Sequence, residues 1–118
     1  EVERSVRRRF AELEIELDNF AGLELAALPD GRPDAEAKAA PSMLKLIGTE
    51  LHQRVNALGV EIACARGAPA PSAGEFGDAQ LDAAHRFMAK HLAVRAASIY
   101  SGSSETQRNV IFRELLAG

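Results

Sequence analysis

The sequence predicts an all-α fold, an antiparallel helical bundle with four helices. Three observations point to it. The 118 residues hold 22 Ala and 13 Leu against 13 Val, Ile and Thr together, a balance that favours helix over strand. Apolar residues recur at spacings of three and four through two long stretches. Between the helical stretches stand runs of Pro, Gly and Asp, which break helices.

The first helix is expected over about 1–28. Val2, Val6, Phe10, Leu13, Leu17 and Phe20 form one apolar stripe, and Pro29-Asp30-Gly31-Arg32-Pro33 ends it. At ~1.5 Å per residue it would be roughly 40 Å long and needs a long partner. That partner is expected over 34–66, with Asp34 as N-cap and Met43, Ile47, Leu51, Val55, Leu58, Ile62 and Ala65 as its stripe. Pro41 either kinks this helix or marks a late start. Ala39, Ala40, Gly48 and Gly59 are small enough to let another helix approach, with ordinary packing the favoured alternative for all four. Residues 67–78, rich in Pro, Ala and Gly, read as a surface loop. A third helix is expected over about 79–98, with Leu81, His85, Met88, Leu92 and Ala96 on its inner face. A fourth, over about 103–117, opens on Ser104-Glu105-Thr106-Gln107, which has capping-box spacing, and carries Val110, Ile111 and Leu115.

Composition excludes several functions. A net charge of −3 argues against a dedicated nucleic-acid binder, and Arg7-Arg8-Arg9 is neutralised by Glu1, Glu3, Glu12 and Glu14 on the same helix. No apolar run approaches the ~20 residues that cross a bilayer. One Cys forms no internal disulfide, and no signal peptide opens the chain, so a cytoplasmic location is expected. His85 and His91 are six apart and cannot share a metal as an i, i+4 pair would. A length of 118 residues suits one domain and is short for an enzyme carrying its own cofactor domain. The first residue is Glu, so a longer parent chain is expected.

The run from Ser98 to Asn109 stands apart. It is a hydroxyl-rich turn directly before a capped helix start, where unpaired N–H groups and the positive end of the helix dipole favour an anion or a carbonyl oxygen. Gly102 lets a ligand approach the backbone. A plain turn with a capping serine is the alternative.

Ile99-Tyr100-Ser101-Gly102-Ser103-Ser104-Glu105-Thr106-Gln107-Arg108-Asn109-Val110-Ile111 resembles the C-terminal signature of flavin-dependent acyl-CoA dehydrogenases. Upstream, Ser42-Met43-Leu44-Lys45-Leu46-Ile47-Gly48-Thr49-Glu50-Leu51-His52-Gln53 is similar to the matching helix in the branch typified by the pimeloyl-CoA dehydrogenase large subunit. The resemblance covers nearly the whole chain but only part of the family's polypeptide. It implies that residues 1–118 form the C-terminal helical domain, without the N-terminal helical and middle β domains.

The resemblance also implies FAD as cofactor, an acyl-CoA thioester as substrate, an electron-transfer flavoprotein as acceptor, and a homo- or hetero-oligomer. The family's base is in many members a Glu directly after the motif Tyr. Here Tyr100 matches that Tyr and Ser101 follows it. A serine hydroxyl is no such base without an activator. The base then lies on an upstream helix, or the protein is a non-catalytic subunit. Tyr100, Ser101 and Gly102 are expected at the thioester, with the Ser101 N–H binding its carbonyl oxygen. Ser103, Ser104 and Glu105 are expected at the flavin. A second flavin contact, made in the family by a Gln-x-x-Gly-Gly segment, aligns with Glu61 and Ala65, where Gln is replaced and both glycines are lost. The isolated segment is expected to be inactive. A structural subunit or a generic helical interaction module is the alternative.

Overall fold

In the computed structural model, which describes residues 2–28, 35–66 and 83–116, one helix organises the other three. The elements are α1 (Val2–Ala26), α2 (Ala35–Ala65), α3 (Ala83–Val94), a 3-10 turn (Arg95–Ser98) and α4 (Ser104–Leu116). All regular structure among the described residues is helical, as expected. The 31-residue α2 packs against α1, α3 and α4. Its length follows from good helix formers on either side of Pro41, which is exposed and does not interrupt it. The Asp34 cap, the 67–78 loop and residues 79–82 lie outside the described residues.

The α1–α2 seam has a seven-residue repeat. Leu13, Leu51 and Leu58 are buried, with Val6, Phe20, Val55 and Ile62 packed around them. Val6, Leu13 and Phe20 recur every seven residues, and the α2 residues alternate by four and three. That is the a/d pattern of two helices lying nearly alongside each other. Arg9 reaches Glu61 at 2.5 Å, and two turns further along α1 the charges reverse, Glu16 pairing with Arg54. The two pairs fix an antiparallel register. Their side chains are about half exposed, so solvent screening leaves each pair only a small contribution.

Two expectations about the faces are corrected. Phe10 and Leu17 belong to the α1 stripe by spacing but are 52% and 46% exposed, because α2 covers only the seam beside them. On α3 the inner face runs through Met88, His91, Val94 and Ala97, whereas Leu92 is 58% exposed and Ala96 is also exposed. The α-helix ends at Val94, and the 3-10 turn after it has a period of three, which turns Ala97 inward.

At two of the four small residues, Gly48 and Gly59, the close approach takes the form of a ring against a glycine. Phe20 of α1 lies over Gly48, and Phe87 of α3 lies over Gly59 so closely that a Cβ there would overlap the ring. Gln53 Nε2 donates to the Val94 carbonyl at 2.9 Å. Together these contacts run α3 antiparallel to α2. Arg108 then pairs with Glu50 at 2.8 Å, so α4 returns along α2 in the same direction. The topology delivers the turn between the 3-10 segment and α4 to the Lys45 level of α2.

Candidate functional site

The sequence places its polar run where two helical segments meet, and the local hydrogen bonds explain its shape. Ile99 and Tyr100 both donate their N–H to Ala96 O, at 3.0 and 3.1 Å, which closes the 3-10 turn. The chain then reverses through two residues of positive φ, Ser101 at 56° and Gly102 at 87°. Ser103 is the N-cap of α4. Its hydroxyl accepts the Thr106 N–H at 3.2 Å and lies 3.2 Å from the Thr106 hydroxyl. The cap is therefore one residue earlier than the expected Ser104–Gln107 box.

Gln107 has a different task. Its Nε2 donates to Ser101 O at 3.2 Å and to Gly102 O at 3.4 Å. From the other helix, Lys45 Nζ donates to three carbonyls, those of Ala97 (3.0 Å), Tyr100 (3.1 Å) and Gly102 (2.7 Å). Lys45 was not singled out by spacing. The available signal is a single charge inside the apolar run Met43-Leu44-Lys45-Leu46-Ile47.

This arrangement dictates where the amides point. The described peptide bonds are all trans, and in a trans peptide the C=O and the N–H point in opposite directions. The Tyr100, Ser101 and Gly102 carbonyls are drawn toward Lys45 and Gln107. The N–H groups of Ser101, Gly102 and Ser103 therefore face away from them. Among the described residues none of the three donates to a backbone carbonyl. Tyr100 and Ser101 are exposed, while Gly102, Ser103 and Ser104 are half-buried. The result is a short row of free donors on an open turn.

Charge around the row is mixed. The Glu105 carboxyl is held below the usual carboxylate range, first by its own backbone N–H, then by the Ser103 hydroxyl and Arg108. It thus takes part of the positive potential at the start of α4. The Ser104 hydroxyl and the N–H groups of Ser101 to Ser104, which have no partner among the described residues, remain as a donor set suited to phosphate or ribose oxygens. In donor chemistry the turn fits the ADP part of a flavin.

Glu61 and Ala65 are in a different place. They lie 16 and 20 residues beyond Lys45 on α2, ~24 and ~30 Å along the helix. One chain does not bring them together with Ser103–Glu105. Glu61 is paired with Arg9, and Ala65 is exposed. Among the described residues no group of His, Cys, Asp or Glu is arranged to hold a metal. His52 and Cys64 are exposed. No helix of the described residues is long and apolar enough to cross a membrane.

A three-partner α2 with a turn of free amides at the start of α4 defines an all-α helical bundle. The chain belongs to the acyl-CoA dehydrogenase family: the model of the acyl-CoA dehydrogenase C-terminal domain matches residues 2–116. No curated protein and no solved structure matches it.

Proposed function

We propose that this chain is the C-terminal segment of an FAD-dependent acyl-CoA dehydrogenase and supplies part of its flavin and thioester site. The observation that carries this is the row of free N–H groups at Ser101–Ser103, held outward by Lys45 and Gln107. When bound, the flavin would accept the hydride that leaves the β-carbon of the thioester.

The residues of this chain bind and orient. The Ser101 N–H donates to the thioester carbonyl oxygen, where charge grows as the α-proton leaves. Gly102 keeps the approach clear of a side chain, and Tyr100 flanks it. Ser103, Ser104 and Glu105 meet the cofactor at the start of α4. The Ser101 hydroxyl is exposed and bonded to no base among the described residues, so the proton is taken by a carboxylate elsewhere in the parent. At the other end of α2, a flavin contact by Glu61 and Ala65 would belong to a neighbouring subunit's cofactor, with the Glu61 charge already balanced by Arg9.

The same proposal covers the rest of the assembly. The chain is one domain of a longer polypeptide in the branch of the pimeloyl-CoA dehydrogenase large subunit, acting in the cytoplasm on a lipid-type thioester. An electron-transfer flavoprotein reoxidises it. Exposed Phe10, Leu17 and Leu25 on α1, with Leu28 just after it, favour contact with another chain. The isolated segment neither retains flavin nor turns over.

Anaerobic mixing of the full-length protein with a panel of acyl-CoA thioesters tests this. The expected result is loss of the oxidised flavin absorbance with at least one thioester. A flavin that no thioester bleaches would favour the non-catalytic subunit, and a full-length protein without flavin would favour a helical interaction module.

A further inference from the structure

We propose that Lys45 is a positioning residue for the thioester, acting through the peptide units on either side of Ser101 and Gly102. The inference rests on the assignment of the Ser101 N–H to the thioester carbonyl and adds a second element to it.

Three observations carry it. Lys45 spans from the N-terminal third of α2 to residues 52 to 57 positions later and ends on three carbonyl oxygens. No carboxylate pairs with it among the described residues, so the ammonium charge is met by carbonyl dipoles rather than by an opposite charge. Two of those carbonyls, Tyr100 and Gly102, belong to the same peptide units as the Ser101 and Ser103 amides. A cation on the oxygen of a peptide unit draws electron density from its nitrogen and strengthens the N–H as a donor, because hydrogen bonds in a chain polarise one another. The cation also holds the positive-φ residue Ser101 in the one orientation that sends its N–H outward. Gln107 shares the restraint on the carbonyls but is neutral. Of the two, Lys45 brings charge to the far side of the donor row.

The two roles separate by substitution. Lys45→Arg keeps a cation that can reach the carbonyls, Lys45→Gln keeps a donor without charge, and Lys45→Met keeps length without either. The readout is the absorbance of 4-dimethylaminocinnamoyl-CoA bound to the full-length protein. This thioester shifts to the red as its carbonyl is polarised and reports the donor without turnover. Hydrogen exchange across α2 serves as the folding control.

Wild type is expected to give a clear red shift. Lys45→Met is expected to lose most of it and bind about tenfold more weakly, Lys45→Gln to fall between, and Lys45→Arg to recover most of it, all with α2 protection unchanged. If Lys45→Met unfolds α2, the comparison of Lys45→Gln with wild type decides. A wild-type red shift that the folded neutral variants keep in full overturns the role of Lys45 and leaves the site assignment standing. A probe that binds wild type without any shift, or does not bind, overturns the assignment of Ser101 and the role of Lys45 with it.

Discussion

Gln107 and Gly102 close the turn on each other. The Gln107 amide donates to the Gly102 carbonyl at 3.4 Å, and its Nε2 would lie 2.5 Å from a Cβ placed on Gly102. Glycine is required there twice over, for its φ of 87° and for the space that Gln107 uses. Gly102→Ala is therefore expected to destabilise the fold by about 1–2 kcal/mol. Chemical denaturation of the variant checks this. An unchanged midpoint would show that the turn relaxes freely.

Ser101 carries the opposite expectation. Its φ of 56° is left-handed and unfavourable for a residue with a Cβ. Ser101→Gly relieves that strain at some loss of unfolded-state restriction, and is expected to raise stability by about 0.5–1 kcal/mol. It leaves the backbone donor in place, so affinity for a thioester should be retained. Thermal melts together with a binding titration on the full-length protein read both effects.

Gly59 and Gly22 make a contrasting pair. Phe87 occupies the space a Cβ would need at Gly59, which is buried on α2. Gly59→Ala should cost about 1–3 kcal/mol through overpacking, and much of that should return in the double variant with Phe87→Leu. Gly22 is exposed on α1 with nothing within 4 Å of its Cβ position. Gly22→Ala should stabilise by about 0.5–1 kcal/mol through helix propensity. Denaturant midpoints of the three variants are the measurement.

Acid should loosen the α1–α2 seam. The hydrogen bond from Arg54 holds the Glu16 carboxyl below its ordinary range, and Arg54 is raised in return. A group whose folded pKa is depressed contributes stability above its unfolded pKa, and that contribution is lost as pH falls through the folded value. Wild type should thus exceed Glu16→Gln in stability at neutral pH, and the difference should shrink below about pH 4. Melts of both proteins across pH 2–7 would show it, and a difference that is flat with pH contradicts the pairing.

Much of this architecture is legible from residue order, for physical reasons that differ by element. The α1–α2 seam follows from a/d spacing, and the start of α4 follows from a hydroxyl cluster ahead of an apolar run. The cap slips by one residue because Ser103 and Ser104 carry the same hydroxyl, and only the bond that Ser103 accepts from the Thr106 N–H decides between them. Phe10 and Leu17 share the α1 stripe with Leu13, and periodicity alone does not say how wide a strip the partner covers. The inner face of α3 depends on where α-helix gives way to 3-10 turn, which Val94-Arg95-Ala96 does not announce. Lys45 escapes notice for another reason. Its three acceptors are backbone atoms more than 50 residues away, and no side-chain pattern records them.

The most direct test of the central claim is a structure of the full-length protein with a bound acyl-CoA thioester. The account predicts the thioester carbonyl oxygen within about 3 Å of the Ser101 backbone nitrogen, with Lys45 still on the carbonyls of Tyr100 and Gly102. A thioester carbonyl bound away from the turn, with the Ser101 N–H facing only solvent, would contradict it.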